Sequence, residues 1–344
     1  MSNQQQVAII GLGMASAPHA QSLQALRDRV HVKAVYSRRQ ESRDSFSELY
    51  GFPSVDSLEA ILEDPSISAV LLLTPPNTRL ELVQQLCAHG KHILMEKPLE
   101  RTLDAAMNIA RTCEQAGIQA GVVFQNRYRD GALQLKKRMA EGALGDVYSV
   151  QLSVPWWRDQ SYYDEPLRGS YERDGGGVLI SQAIHTIDLM LSLAGPVSQV
   201  AAMTATTAAH TMESEDFVGA AMRFVNGAVG SLVATTAQYP GALERITLCG
   251  TLGTAQLEGG ELIINYRDGR TEAVGEAAAG GGTADPMAFS FEWHQKLIAD
   301  FLDAIDEDRE PQATLSQALN SHRLIDALVR SSNEERHIDV EYPA

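Results

Sequence analysis

The sequence predicts two regions of different class: an α/β domain on a doubly wound parallel sheet, then an α+β domain on a large, mostly antiparallel open sheet. Three observations carry that expectation. Short apolar runs alternate with stretches of helical spacing through the first third of the chain, the pattern of βαβ units whose strands are buried on both faces. Beyond about residue 123, closely spaced runs rich in β-branched residues follow, separated by turn signals, as in an antiparallel sheet. The 344 residues, 44% of them hydrophobic, suit two cores better than one. The expected domains are 1–123 and 124–344.

Within the first domain, Val7–Ile10, Val32–Tyr36, Ala69–Leu73, His92–Met95 and Gln119–Val123 read as strands, each a short apolar or β-prone run. Ala15–Leu26, Leu58–Leu62, Leu80–Ala88 and Leu103–Cys113 have helical spacing and supply the crossovers. Right-handed crossovers bring the strand C-termini to one rim. In the second domain a polar helix near Gly131–Glu141 precedes the strand Asp146–Val154, and a helix at Ile184–Leu193 interrupts the strands. Val200–Thr207, Asp216–Phe224, Ala228–Ala237, Glu244–Cys249, Thr254–Glu258 and Glu261–Tyr266 then read as strands, with hairpin signals at Asn226-Gly227 and Glu258-Gly259-Gly260. Gly275–Gly282 reads as a glycine- and alanine-rich loop. Phe291, Leu297, Phe301 and Ile305 recur at helical spacing, and Leu315–Val329 forms a last helix.

The formal net charge of −16 argues against nucleic acid and anionic membrane surfaces as partners, since phosphate contacts need clustered Lys and Arg. No apolar run reaches the roughly twenty residues of a membrane span. The start leads straight into Val7–Ile10 without the series of a secretory leader. Cys87, Cys113 and Cys249 are scattered and form no CxxC pair, which fits reduced thiols. The expected location is cytoplasmic.

Gly11-Leu12-Gly13-Met14-Ala15-Ser16 stands where the first strand turns into the first helix. A dinucleotide pyrophosphate sits at this point of a Rossmann domain. Gly11 permits the tight turn, Gly13 permits close approach, and the helix start at Met14 and Ala15 offers backbone N–H groups. Ser16 replaces the usual third small residue, and the bland alternative is a glycine turn without a ligand. At the end of the second strand, Ser37, Arg38 and Arg39 precede any acid. That favours NADP, whose 2′-phosphate an Arg can grip, with NAD possible. The alternative is a pair of solvated arginines. Thr74, Pro75, Asn77, Glu96 and Lys97 complete the expected cofactor contacts.

Two further segments make the pattern specific: Met95-Glu96-Lys97-Pro98, and the run from Gly175-Gly176-Gly177 through Ser181 and His185 to Asp188. With the N-terminal glycine motif, and in this order, they resemble the Gfo/Idh/MocA oxidoreductase family (glucose–fructose oxidoreductase and inositol dehydrogenase relatives) over nearly the whole chain. The resemblance implies that Lys97 lies beside the nicotinamide and that His185 faces the reacting hydroxyl as acid/base. It also implies a cis Lys97–Pro98 bond, and a homodimer or homotetramer formed through the open sheet face. One departure stands out: the family usually carries Asp where this chain has Ser181, so a carboxylate-assisted proton relay is in doubt there. Asp188 reads as a residue that orients a neighbour, or equally as a surface or capping carboxylate.

Asn126 and Arg127 follow the last strand of the first domain and are candidate substrate contacts. Trp156, Arg158 and Tyr162, with Arg168 and Ser181, extend that set, since aromatic faces and donors suit a polyhydroxylated ring. Packing of these aromatics at a sheet edge or subunit interface is the structural alternative. The reading is therefore an NAD(P)-dependent dehydrogenase of a sugar, sugar acid or cyclitol. Its rivals are a cis-dihydrodiol dehydrogenase of an aromatic acid, a retained-cofactor enzyme that cleaves glycosides, and a non-catalytic dinucleotide sensor. His19, His31, His89, His92, His210, His294, His322 and His337 show no metal-ligand spacing, and no metal is expected.

Overall fold

The computed structural model describes residues 4–276 and 290–342. The chain divides into two compact units: Met1–Glu100, Asp104–Gln125 and Ser290–Ala318 form one, and Arg101–Leu103, Asn126–Phe289 and Leu319–Ala344 the other.

In the first unit five parallel strands, β1 (Gln5–Ile10), β2 (Val30–Tyr36), β3 (Ala69–Leu72), β4 (His92–Met95) and β5 (Ala120–Val122), lie in the order β2-β1-β3-β4-β5. Helices α1 (Ser16–Ala25), α2 (Gln40–Tyr50), α3 (Glu59–Leu62), α4 (Arg79–Ala88) and α5 (Leu103–Ala116) connect them. All four residues of β3 are buried, as a strand covered on both faces requires. The strand order reverses between β1 and β3, which marks where open α/β sheets bind ligands. Helix α2 was not legible in the sequence: of its eleven residues only Arg43 and Phe46 are buried, too few for a visible apolar stripe.

The second unit is built on nine strands in the order β13-β12-β11-β10-β6-β9-β8-β7-β14. Helix α6 (Asp130–Ala140) leads into β6 (Val147–Pro155), followed by the short α7 (Gln160–Tyr163) and α8 (Ile184–Ala194). Then come β7 (Val197–Ala205), β8 (Phe217–Phe224), β9 (Val229–Thr235), β10 (Arg245–Gly250), β11 (Gly253–Glu258), β12 (Glu261–Tyr266) and β13 (Thr271–Val274). Every pairing is antiparallel except β6 with β9. Alternation is clear along it: Val150, Leu152 and Val154 of β6 are buried while Ser149, Gln151 and Ser153 face outward. α6 and α8 cover the buried face. The expected loop Gly275–Gly282 lies outside the described residues from 277 onward.

Two further helices, α9 (Glu292–Asp306) and α10 (Leu315–Glu334), precede the last strand, β14 (Ile338–Asp339). The first unit passes into the second between Gln125 and Asn126, and Ser290–Ala318 return to the first unit. Helix α9 packs on α1 and β4 in the first unit. Its Leu297, Ile298 and Phe301 are buried there, and the Phe301 ring comes within 3.4 Å of where a Cβ on Gly121 would sit. The edge strand β5 gains a partner as well, because Val122 N–H donates to Ala313 O at 3.1 Å. An apolar stripe shows that a helix is buried but not against which sheet, so the sequence could not assign α9. Among the described residues no helix is long and apolar enough to cross a membrane.

Truncating Phe301 to Ala should cost about 3–5 kcal/mol in chemical denaturation. Hydrogen exchange should accelerate in α1, β4 and β5; acceleration confined to β6–β13 would contradict this placement of α9.

Candidate active site

At the switch point the first glycine is required twice over. Gly11 has φ +100°, and a Cβ there would stand 2.7 Å from the Leu73 carbonyl carbon and 2.8 Å from Thr74 N. A side chain would push β1 and β3 apart at the rim. Gly13 is different: a Cβ built on it meets nothing within 4 Å, so its open side is available to a bound group. Helix α1 begins with Ala15 at its N-cap, no side-chain cap and no acid in the first turn, which leaves its positive end to an anion. Ser16, the departure from the fingerprint, is buried and donates its hydroxyl to Gly13 O at 2.6 Å. The hydroxyl braces the turn. These features fit a dinucleotide pyrophosphate, with Met14 and Ala15 at the helix start.

A cleft of about 520 Å³ opens beside this loop, lined by Gly13, Met14, Ser16, Arg39, Glu41 and Tyr50 among others. Arg38 and Arg39 are exposed and Ser37 is half-buried. Their loop is shaped by Arg43, which the sequence did not flag. Its buried guanidinium donates to Ser37 O at 2.8 Å and to Asp56 Oδ1 at 3.2 Å.

The loops after β3 and β4 are joined by another unflagged residue. Arg79 is fully buried and donates to Thr74 O at 3.0 and 2.7 Å, and to the carbonyls of Glu96 and Pro98. Burial lowers its pKa to about 10, opposed by Glu96 and Glu100, so it is charged at neutral pH. Pro75 and Asn77 are exposed on the same rim, and Thr74 Oγ1 is buried without a partner among the described residues. The Lys97–Pro98 bond is cis, as the resemblance implied. Lys97 is half-buried. Glu96 directs its carboxylate inward: Oε1 accepts from His19 Nε2 at 2.8 Å and Oε2 from Lys97 N–H at 3.0 Å. Burial would raise its pKa, but the His19 hydrogen bond and the charges of His19, His294 and Lys97 outweigh that and hold it at about 2. His294 arrives from α9, its ring 4.9 Å from that of His19. Sequence spacing gave no hint of this cluster, whose three donor atoms lie within 4.8 Å of one another.

In the second unit the glycine-rich segment is pressed against Glu215. A Cβ on Gly177 would fall 1.8 Å from Glu215 O. The buried Glu215 carboxylate accepts the N–H groups of Gly177 and Leu179, both at 3.1 Å. Leu179–Ala183 then form one π-helical turn before α8, an irregularity common at functional sites. Ser181 donates its hydroxyl to Gly177 O at 2.6 Å. His185 follows, half-buried, in the first turn of α8. Asp188 is fully buried and grips Arg127 through two 2.6 Å bonds, from Nε and Nη2. Burial raises the Asp188 pKa while Arg127 opposes it. That pairing ties α8 to the segment after β5. Asn126 beside it is 4% exposed.

The aromatic cluster is more buried than an open subsite. Trp156 and Arg158 are 6% and 4% exposed, and the Arg158 guanidinium lies 5.4 Å from the Trp156 ring centroid and 5.7 Å from that of Tyr162. Tyr162 is half-buried. Arg168 is already met by Glu165, with Nε at 3.1 Å, and stacks 4.8 Å over Tyr162. Its charge is met within the fold by Glu165. His210 is also structural: Nδ1 faces Asp216 Oδ2 and Nε2 faces Arg158 O, each at 2.8 Å. The cysteines are free.

Comparison with known proteins agrees with this geometry. Residues 5–124 match the oxidoreductase family with an NAD-binding Rossmann fold, and residues 132–256 match the GFO/IDH/MocA C-terminal domain. A D-xylose dehydrogenase of Paenarthrobacter nicotinovorans is 30% identical over 43% of this chain and 39% of its own length. The NADP(+) scyllo-inositol 2-dehydrogenase of Bacillus subtilis is 30% identical over 57% and 53%. The chain thus spans about half or less of those two relatives. The levoglucosan dehydrogenase of Pseudarthrobacter phenanthrenivorans is 26% identical over 85% of each chain. Among solved structures, the WlbA dehydrogenase from Bordetella pertussis in complex with NADH and UDP-GlcNAcA is 28% identical, with a TM-score of 0.84, covering 99% of this chain and 100% of that one.

Two outcomes are expected. The carboxyl of Glu96 lies below its ordinary 4.5 and the imidazole of His294 is pushed by burial to about 3. In both cases the unfolded state binds the extra proton, so stability is intact above about pH 6.5 and falls toward pH 3, by up to about 1.4 kcal/mol per pH unit per group. Melting curves between pH 7 and 4 should show a slope that His294→Phe reduces; an unchanged slope counts against the assignment. Replacing Arg127 with Leu should cost about 3–5 kcal/mol in denaturant titrations by stranding Asp188.

Proposed function

The chain belongs to the GFO/IDH/MocA oxidoreductase family, and from that premise we propose that it is an NADP-preferring dehydrogenase of a CH–OH group on a sugar, sugar acid or cyclitol. The single observation that supports the cofactor half most is the glycine loop, where Gly11 admits no side chain and Gly13 opens on space. Relatives named as xylose, scyllo-inositol and levoglucosan dehydrogenases support the substrate half. Because several of these alignments cover only part of each protein, the substrate is read as a class.

Gly11, Gly13, Met14 and Ala15 would hold the pyrophosphate, Ser37, Arg38 and Arg39 the adenosine ribose, and Thr74, Pro75, Asn77, Glu96 and Lys97 the remainder along the rim. A dinucleotide held there would supply the acceptor for the carbinol hydride, or its donor in reduction. The protein's own part is the proton and the charge. His185 as a neutral imidazole takes the hydroxyl proton in oxidation and returns it in reduction. The Lys97 ammonium stabilises negative charge developing on the same oxygen. Asn126, Tyr162 and Ser181 remain the substrate contacts proposed, with Trp156 and Arg158 forming the wall behind Tyr162. The preference for NADP rests on Arg38 and Arg39: exposed, without a described carboxylate partner, and with Arg39 lining the cleft beside Gly13. The outward sheet face, with Ser149, Gln151 and Ser153 on β6, is uncharged there and is proposed as the contact of a homodimer or homotetramer.

The test is a panel of pentoses, hexoses, sugar acids, cyclitols and a dihydrodiol with NAD⁺ and NADP⁺, followed by absorbance of the reduced nicotinamide. Turnover abolished in Lys97→Ala and in His185→Ala is expected. Product without net nicotinamide reduction would reassign the chain to retained-cofactor chemistry. Arg39→Ala should raise KM for NADP⁺ by about 10–100-fold, the effect of one charged hydrogen bond, and leave KM for NAD⁺ nearly unchanged. Equal effects on both cofactors would remove the NADP preference.

A further inference from the structure

Glu96 holds a carboxylate almost without water, 8% exposed. Elements far apart in sequence meet at it. From α1, His19, with no exposed surface, donates Nε2–H to Oε1 at 2.8 Å. From its own turn, Lys97 N–H donates to Oε2 at 3.0 Å. From α9, the His294 ring stands edge-on to His19. From α4, Arg79 binds the carbonyls on either side of Lys97, those of Glu96 and Pro98. We propose that His19 is a positioning residue for Lys97, acting through Glu96: it keeps that carboxylate ionised and aimed at the Lys97 backbone N–H, and so fixes the turn that presents the lysine. The inference rests on the reading of Lys97 as the electrostatic partner of the reaction.

Proton accounting supports the direction of the bond. An ionised carboxylate only accepts, so His19 Nε2 carries the proton. Its Nδ1 is buried without a partner among the described residues. His294 brings no competing charge at neutral pH, since burial and the neighbouring His19 push its pKa to about 3. The same trio has the spacing of a cation site. Two facts favour the hydrogen bond instead: His19 and Glu96 are already joined at 2.8 Å, and the charges of Arg79 and Lys97 that act on Glu96 are both positive. Without the His19 donor, burial would press the Glu96 carboxyl upward. Lys97 N–H would then face a neutral acid, and the ammonium would lose a nearby counter-charge.

The test is the pH profile of kcat and kcat/KM from pH 5 to 9, with the substrate found in the panel, for the full chain and for His19→Leu and His19→Gln. Dinucleotide affinity and melting temperature report folding. His19→Leu is expected to bind dinucleotide within about threefold of the parent, to lose kcat by about 10–100-fold, and to add a second acid limb to the one that His185 gives the parent. His19→Gln, which keeps a donor, should recover most of the loss. A loss equal at every pH, or a parental profile in His19→Leu, overturns the proposal. If His19→Leu does not fold, Glu96→Gln carries the test: the same kcat loss with no added acid limb is expected, and parental kcat overturns it. One equivalent of Zn²⁺ bound by the parent and lost in His19→Gln also overturns it, by making the trio a metal site. Full activity in Lys97→Ala would instead remove the parent reading, whatever His19 does.

Discussion

The buried guanidinium of Arg79 ties together the rim of the parallel sheet. A sheet covered on both faces leaves its loops only the strand ends, and the backbone carbonyls there must be satisfied without water. Arg79 meets those of Thr74, Glu96 and Pro98 at once, so the loops after β3 and β4 hang on one side chain. The opposite charge is supplied by Glu96, which is itself held by His19 and by the backbone of Lys97. The loops carrying Thr74, Pro75, Asn77, Glu96 and Lys97 thus share one buried cation, whose charge Glu96 and Glu100 favour.

The second unit uses the same device on a different fold. Its candidate acid/base, His185, stands at the start of α8, and that helix is anchored at one end by Glu215 on the N–H groups of Gly177 and Leu179 and along its length by the Arg127–Asp188 pair. In each unit the residue proposed for chemistry is half-buried, while buried ions shape the backbone around it. Such anchoring restricts the geometry of a reactive group at the cost of side-chain freedom, which is what preorganised catalysis requires.

Ser181 is the place where the chain leaves its family's pattern. The chain makes a π-helical turn around it, and the hydroxyl serves the backbone at Gly177 O. A carboxylate at this position could share a proton with His185; a hydroxyl bonded to a carbonyl can only relay one by breaking that bond. The proposed mechanism therefore assigns proton transfer to His185 without a carboxylate assistant.

Much of this was legible from the sequence. The alternation of short apolar runs with helices fixed the parallel sheet, since strands buried on both faces must be apolar throughout, and two-residue alternation in β6–β12 announced a sheet with one open face. Gly11 and Gly13 could be read because a strand–turn–helix leaves a narrow choice of residue there. Helix α2 escaped because it buries only two side chains, and β13 and β14 because short edge strands carry little pattern. The sites of α9, Arg79, Arg43, His19 and Glu215 were decided by the tertiary structure alone. Periodicity records that a side chain is buried; the identity of its neighbour depends on contacts between segments as distant as His19 and His294, which no local spacing encodes.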